Sequence, residues 1–250
     1  MQLLVDIGNT NIKWAQFVTE LGSHKSIGYK NQDIQKLLNQ QWGKLEKPAV
    51  VYVANVGSSD IGVELSRWVG EKWSCPLHFI KSTASAAGVT NGYDFPEQLG
   101  VDRWLAVIAA YNIFKTDVCV FDCGTAITLD LVNAKGLYQG GLIFPGISLL
   151  QTSLVVNAAG CIATQSGNLN FNNHIVATNT NDGILLGSIN AALSIIQYQR
   201  IRLTEEFHLN PTFVITGGDA PLLLLSLPSA YHYLPDLVLQ GLSLLVKNNR

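Results

Sequence analysis

Charge is what this chain of 250 residues has least of. Asp, Glu, Lys and Arg make up 14% of it, against roughly 25% in an ordinary soluble domain, while apolar residues reach 48%. An unusual share of the surface is therefore expected to be covered, and oligomerisation is the simplest cover. With a net charge of -2 and no run of Lys and Arg, the chain lacks the electrostatic footprint of a nucleic-acid binder. Long apolar runs are missing too. Nowhere do about 18 apolar residues follow one another, as a membrane span requires. No basic segment precedes the apolar N-terminal residues, and Asp6 interrupts them, so no membrane or targeting segment is expected. Cysteine is sparse: of Cys75, Cys119, Cys123 and Cys161 only the pair in C-V-F-D-C is close, and its spacing suits neither a redox nor a zinc motif. Reduced, buried thiols and a cytoplasmic location are the expectation. The histidines His24, His78, His174, His208 and His232 have no metal-ligand spacing. Walker A and protein-kinase signatures are also absent, which removes the two commonest ways of binding ATP.

What is present is alternation. Apolar runs at Leu3 to Ile7, Ile12 to Val18, Ala49 to Ala54 and Leu77 to Ile80 read as strands. Asp33 to Gln41 and Asp60 to Trp73 have helical periodicity, with Ile61, Leu65, Trp68 and Val69 as candidate core residues. A further helix is expected from Asp102 through "DRWLAVIAAYNIF", and the polar stretch Lys115 to Asp117 is the candidate boundary. Beyond it the pattern restarts. "LLVDIGNTNIKW" and "VCVFDCGTAITLDLV" both run from an apolar strand to an acid, a glycine two residues on, small polar residues and a second strand. Subtracting residue numbers puts Asp6 and Asp122 116 positions apart, about the size of a small domain. Two such copies suggest two similar lobes facing one ligand.

The repeated form suits phosphate. A glycine after the acid lets backbone N–H groups approach an anion with no Cβ in the way, and Asn or Thr side chains add donors. The acid cannot bind phosphate, but it can hold a cation that bridges to phosphate oxygens. A plain hairpin turn would also use Gly and Asn; finding the form twice weighs against that alternative. Three further stretches fit a phosphotransferase. "GVDR", Gly100 to Arg103, puts an acid and an arginine at a helix start, where an N-cap aspartate is the ordinary explanation. "GGLIFPG", Gly140 to Gly146, reads as a glycine-bracketed turn into a helix. "TGGDA", Thr216 to Ala220, follows the strand "TFVI", opens a Leu-rich helix, and offers a flat backbone surface to a base or ribose. The apolar stretch Ile184 to Ile196 is either a central helix of one lobe or a helix covered by a partner.

Taken in order, D-x-G-N-T at Asp6, G-x-D-R at Gly100, D-x-G-T-A-x-T at Asp122, G-G-x-I-x-P-G at Gly140, N-T at Asn179 and T-G-G at Thr216 make the chain resemble the type III pantothenate kinases. These belong to the acetate and sugar kinase and actin superfamily, and the resemblance covers nearly the whole length. It implies an α/β fold of two ribonuclease H-like lobes, 1–115 and 116–250, of the actin-like ATPase kind, with the active site in the cleft between them. The implied activity is phosphorylation of the hydroxyl of pantothenate by ATP, the first step towards coenzyme A. Magnesium with ATP, a monovalent cation (potassium or ammonium) and a homodimer are implied with it. Asp6, Ile7, Gly8, Asn9, Thr10, Asn11, Ile12 and Lys13 match the first phosphate loop, Thr125 a nucleotide contact and Asp122 the monovalent-cation ligand. Tyr93, Gly100, Val101, Asp102, Arg103 and Thr180 match the pantothenate site, with Asp102 in the place of the proton acceptor. Arg103 would pair with the substrate carboxylate or with the transferred phosphoryl.

Ala15 departs from the glycine more usual after the first loop, which is tolerable only at negative φ. Cys123 is a variation without an evident reading. Two other functions compete: a nucleotide-binding regulatory paralogue without chemistry, and another small-alcohol kinase on the same fold. The acids and Arg103 argue against the first, because a protein without chemistry has no need of a base beside an anion-binding group.

Overall fold

The computed structural model describes residues 1–157 and 176–248, so Cys161 and His174 lie outside the described residues. The first sheet contains β1 (Gln2–Ile7), β2 (Asn11–Phe17), β3 (Lys25–Gly28), β4 (Val51–Asn55) and β5 (Leu77–Phe79), in the order β3-β2-β1-β4-β5. β1, β2 and β3 form an antiparallel meander, while β4 and β5 continue the sheet parallel to β1. Side chains alternate between the two faces of a strand. Leu3, Val5 and Ile7 of β1, with Ile12 and Trp14 of β2, accordingly enter the core under α1 (Ile34–Trp42) and α2 (Ser59–Lys72). Asp33 caps α1 by accepting from the Lys36 N–H. The expected face of α2, Ile61, Leu65, Trp68 and Val69, is buried. Trp42 is the hub of that core. It meets Trp14 and Trp68 edge-on at 5.8 Å and stacks on Trp73 at 5.6 Å.

After β5 come a short hairpin, β6 (Ser85–Ala86) with β7 (Val89–Thr90), a single 3₁₀ turn at Pro96–Gln98, and α3 (Val101–Phe114). Every residue of α3 from Arg103 to Ala110 is buried, as an all-round apolar helix must be. It packs against α7 (Leu237–Asn248), an element the sequence reading did not anticipate. At the contact a Cβ on Gly241 would lie 2.0 Å from the carbonyl oxygen of Leu105, so only glycine permits this approach.

The second sheet repeats the first. β8 (Val118–Cys123), β9 (Ala126–Val132), β10 (Tyr138–Pro145), β11 (Thr212–Thr216) and β12 (Tyr231–Tyr233) stand in the order β10-β9-β8-β11-β12, the same arrangement element for element. β8 and β9 are antiparallel; β11 and β12 run parallel to β8. Its helices are α4 (Ile147–Asn157), α5 (Thr180–Ile201) and the short α6 (Ala220–Leu224). Two expectations are refined. "GGLIFPG" is mostly strand β10, with only Gly146 turning into α4. Ile189, Ala192 and Ile196 of α5 join the core of this sheet, which favours the central-helix alternative for that stretch.

The described chain forms two compact units, the first of residues 1–115, 135–139 and 236–250 and the second of residues 116–134 and 140–235. The chain passes between the units after Lys115, and 135–139 and the C-terminal helix group with the first unit. No described helix is long and apolar enough to cross a membrane.

Candidate active site

Two hairpins carry the repeated motif, and each is built the same way. In the first unit Asp6 ends β1 opposite Lys13, Ile7 pairs with Ile12, and the Gly8 N–H donates to the Asn11 carbonyl at 3.0 Å. Asn9 and Asn11 are exposed; Asp6 is buried. The turn is held from one side. The Tyr29 hydroxyl donates to the Gly8 carbonyl at 2.7 Å, the Tyr29 N–H to Thr10 at 3.1 Å, and the Val56 N–H to the Ile7 carbonyl at 2.9 Å. Burial pushes the Tyr29 phenol up, which keeps it a donor. Gly57 fits tightly here, since its Cβ would stand 2.7 Å from the Tyr29 hydroxyl.

In the second unit Asp122 pairs with Thr128 across β8 and β9, and Gly124 donates to the Ala126 carbonyl at 3.0 Å. Glycines again support it from one side. The Gly146 N–H donates to the Thr125 carbonyl at 3.0 Å, and a Cβ there would lie 2.1 Å from the Gly124 oxygen. Gly217, at φ +96°, would place a Cβ 2.3 Å from the Cys123 carbonyl. The Asp219 N–H closes the contact on that carbonyl at 2.9 Å. Cys123 is fully buried and its thiol is raised well above the ordinary value, by burial first and then by Asp122 and Asp219, so it stays protonated and unreactive.

The motif glycines themselves are not forced by the chain. Neither Gly8 nor Gly124 has a positive φ, and a Cβ on them would come no nearer than 3.7 Å and 3.9 Å to protein atoms. A turn alone would tolerate alanine at both places. A glycine that neither φ nor packing requires is compatible with a role towards an incoming anion, which a Cβ would hold off from the backbone N–H.

The start of α3 is the third component. Gly100, not Asp102, is the N-cap, and Asp102 stands in the first turn with its carboxylate accepting the Arg103 N–H at 2.8 Å. The ordinary N-cap explanation of Asp102 therefore does not hold. A Cβ on Gly100 would lie 2.7 Å from Asp102 Oδ1, so the glycine makes room for this carboxylate. Arg103 is buried, and its guanidinium donates to the Tyr93 hydroxyl at 3.2 Å and to the Tyr138 hydroxyl at 3.0 Å. Asn91 shapes the loop that carries Tyr93: its side chain accepts the Tyr93 N–H at 3.0 Å and donates to the Thr83 and Pro96 carbonyls.

The family model for type III pantothenate kinases matches residues 2–202 of the chain. The chain belongs to that family. Curated relatives agree over nearly their full length: the type III pantothenate kinase of Nitrosococcus oceani is 35% identical, covering 99% of this chain and 94% of its own, and that of Halorhodospira halophila is 34% identical, covering 97% and 96%. Among solved structures, a protein described as a Baf-family transcriptional activator from Campylobacter jejuni superposes with a TM-score of 0.59 at 21% identity over 99% of this chain and 98% of that one. One described as a 2-dehydro-3-deoxygalactonokinase protein from Sinorhizobium meliloti gives 0.59 at 10% identity over 100% and 99%. At such identities these two likenesses speak for the fold alone, the two-lobe α/β architecture.

Of the residues that match the family's pantothenate site, the structure brings Tyr93 and Arg103 into contact, with Asp102 beside Arg103 in the helix. Thr180 lies in the second unit, exposed in the first turn of α5, whose N-cap is Asn179. Its neighbour's place in the N-T motif thus has a local reason: Asn179 Oδ1 accepts the Asp182 N–H at 3.0 Å. Ala15 lies inside β2 without positive φ, so its methyl is tolerated. Three residues escaped the sequence reading: Tyr29, Asn91 and Tyr138. Only Asn91, in an Asn-Gly pair, carried a local signal.

Proposed function

We propose that the chain transfers the γ-phosphoryl of ATP to the hydroxyl of pantothenate, the first step towards coenzyme A, and that each glycine hairpin is a phosphate-binding turn. The observation that supports this beyond family membership is the pair of D-x-G turns whose glycines are required neither by a positive φ nor by a clash, since a Cβ on either would make only ordinary van der Waals contact. On this reading Asp6 to Lys13 hold the phosphates, Thr125 contacts the nucleotide, and Tyr93, Gly100 to Arg103 and Thr180 bind pantothenate. The two lobes are the halves 1–115 and 116–250 of a duplicated chain, of which the last helix returns to the first unit.

Asp102 is the candidate general base. Its carboxylate orients the attacking hydroxyl and accepts its proton as the new P–O bond forms. Arg103 supplies positive charge to the substrate carboxylate or to the transferred phosphoryl, and its planar fork suits either. The family implies ATP with a divalent metal, here magnesium, and we add a monovalent cation, potassium or ammonium, at Asp122. The residues fit an oxygen-ligated cation. Thr128 Oγ1 is buried without a hydrogen-bond partner and stands across from Asp122, while Thr216 stands on the other side. Among the described residues no three His, Cys, Asp or Glu side chains cluster, so such a cation would rely on hydroxyl, carbonyl and phosphate oxygens as well. A bound cation supplies charge neutralisation at phosphate oxygens.

The reading extends to a homodimer in the cytoplasm. Support comes from the second unit, where Ile143 of β10 and Leu154 and Val156 of α4 are 64%, 46% and 72% exposed. Large apolar side chains exposed on successive elements leave surface that a second copy could cover. Sedimentation at micromolar concentration should give twice the 27.2 kDa monomer. The test of function is ADP release with pantothenate beside a panel of small alcohols: turnover with pantothenate alone is expected. Preference for another alcohol would replace the substrate, and binding of ATP without turnover would favour a regulatory protein.

A further inference from the structure

Tyr29 has no part in the chemistry proposed above, yet two of its groups close on the first glycine turn. Its N–H donates to the Thr10 carbonyl at 3.1 Å and its hydroxyl to the Gly8 carbonyl at 2.7 Å. The ring is well anchored. It packs against the core of the first sheet, and Gly28, the residue before it, ends β3 opposite Asn11 of β2. Gly57 leaves room for the contact, because a Cβ there would lie 2.7 Å from the Tyr29 hydroxyl and 3.0 Å from the Gly8 carbonyl oxygen. Its own N–H is tied to Asn55 Oδ1 at 2.9 Å.

The peptide between Gly8 and Asn9 is a unit that needs such a hold. Flipping a peptide changes ψ of the residue before it and gives the residue after it a positive φ, as in passing from a type I to a type II turn. Glycine accepts either value of ψ, and Asn is among the few residues that tolerate positive φ. In the structure neither Gly8 nor Asn9 has a positive φ. The two residue types thus permit two orientations of one peptide, and the Tyr29 hydroxyl selects between them. A trans peptide directs its C=O and its N–H to opposite sides. With the Gly8 carbonyl turned to Tyr29, the Asn9 N–H is turned away from it. Asn9 is exposed, and its N–H donates to no other backbone group among the described residues.

Resting on the reading of this turn as a phosphate-binding one, we propose that Tyr29 is a positioning residue, whose hydroxyl holds the Gly8–Asn9 peptide so that the Asn9 N–H is offered to a phosphate oxygen of the nucleotide. A backbone donor fixed in advance binds an anion without first having to be ordered. Tyr29 itself lies on the carbonyl side of the peptide and acts through it.

The test is Tyr29→Phe, which keeps the ring in the core and removes only the hydroxyl. Affinity for a non-hydrolysable ATP analogue with magnesium should weaken, and KM for ATP should rise, by roughly three- to tenfold, the size of one neutral hydrogen bond. KM for pantothenate should stay unchanged. An equal rise in KM for both substrates, or a fall in Tm with the nucleotide constants unchanged, would overturn the role of Tyr29. Amide NMR separates that role from the reading of the turn. In wild-type protein the Asn9 N–H signal should move downfield when the analogue is added, and in Tyr29→Phe it should move much less at saturation. No movement in wild type would remove the turn as a phosphate site and the proposal with it. The same movement in both proteins would leave the turn in place and remove Tyr29 alone.

Discussion

Asp6 and Asp122 end the first strands of two sheets with one strand order, yet their neighbours on the same sheet face differ. Cross-strand partners share a face. Asp6 lies between Lys13 of β2 and Ala54 of β4, whereas Asp122 lies between Thr128 of β9 and Thr216 of β11. The first acid has a cationic side chain opposite it; the second has two hydroxyls. A carboxylate flanked by oxygen donors attracts a hard cation, while one that faces an ammonium group has less need of it. The duplicated scaffold has thus been loaded unequally, and the lobe with threonines is the one expected to hold the ion. The helices after the last strands differ likewise. α3 comes after β5, the β6–β7 hairpin and the 3₁₀ turn and begins with Val-Asp-Arg behind its Gly100 cap; α7 follows β12 and begins with Leu-Val-Leu, preceded by Asp236, which pairs with His24.

The largest expected effect tests that second difference. Asp102→Asn keeps the shape and removes the acceptor charge, so kcat should fall by roughly 10² to 10⁴, while calorimetric ATP affinity stays within a few-fold. A variant within threefold of wild type would make α3 as inert as α7.

Next comes the comparison of the acids. Asp6→Asn and Asp122→Asn should each lower kcat/KM by roughly 10², but only the first should retain its response to potassium or ammonium. If residual activity in Asp122→Asn still rises with potassium, the cation does not belong to the second hairpin.

The motif glycines and the supporting glycine Gly146 differ in what a Cβ would meet, ordinary contact at the first two and a backbone clash at the third. Gly8→Ala and Gly124→Ala should leave Tm almost unchanged and raise KM for ATP several-fold. Gly146→Ala, driven into the Gly124 carbonyl, should destabilise by about 1–3 kcal/mol. Equal losses of Tm across all three would deny that the motif glycines serve a ligand.

The smallest effect concerns charge behind the hairpins. The Ile7 carbonyl accepts the N–H of Val56, and the matching Cys123 carbonyl accepts the N–H of Asp219. Burial raises the Asp219 carboxyl above its ordinary value. A raised folded pKa means that ionisation opposes folding, so this stability is lost as pH rises through the folded pKa and is present below the unfolded value. Asp219→Asn should therefore melt slightly higher than wild type at neutral pH, and the gap should close in acid. A constant gap across that range would assign the change to packing.

Much of this was legible in the residues. Apolar runs ending in an acid and glycine marked β1 and β8, because burial on one face and a tight turn at the end leave a local pattern. The strand β3 was not legible, since Lys25 to Gly28 form an edge with little burial. The role of helix α7 leaves no local mark, because it depends on α3, which ends at Phe114, far from Leu237 in sequence. "GGLIFPG" suggested a turn because glycine and proline punctuate chains, yet Gly140 reaches its φ of +115° within β10.

The sequence by itself determined the two-sheet plan, the pair of phosphate turns and the acids at their bases, since each depends on residues a few positions apart and on the period of two that strands impose. Only the tertiary structure decided which lobe offers oxygen donors to an ion, that Gly100 rather than Asp102 caps α3, and that Tyr138 lies against Arg103. Those facts depend on cross-strand register and on side chains 35 positions apart meeting in a buried space. No local pattern encodes them, because they arise only when the sheets close over their cores.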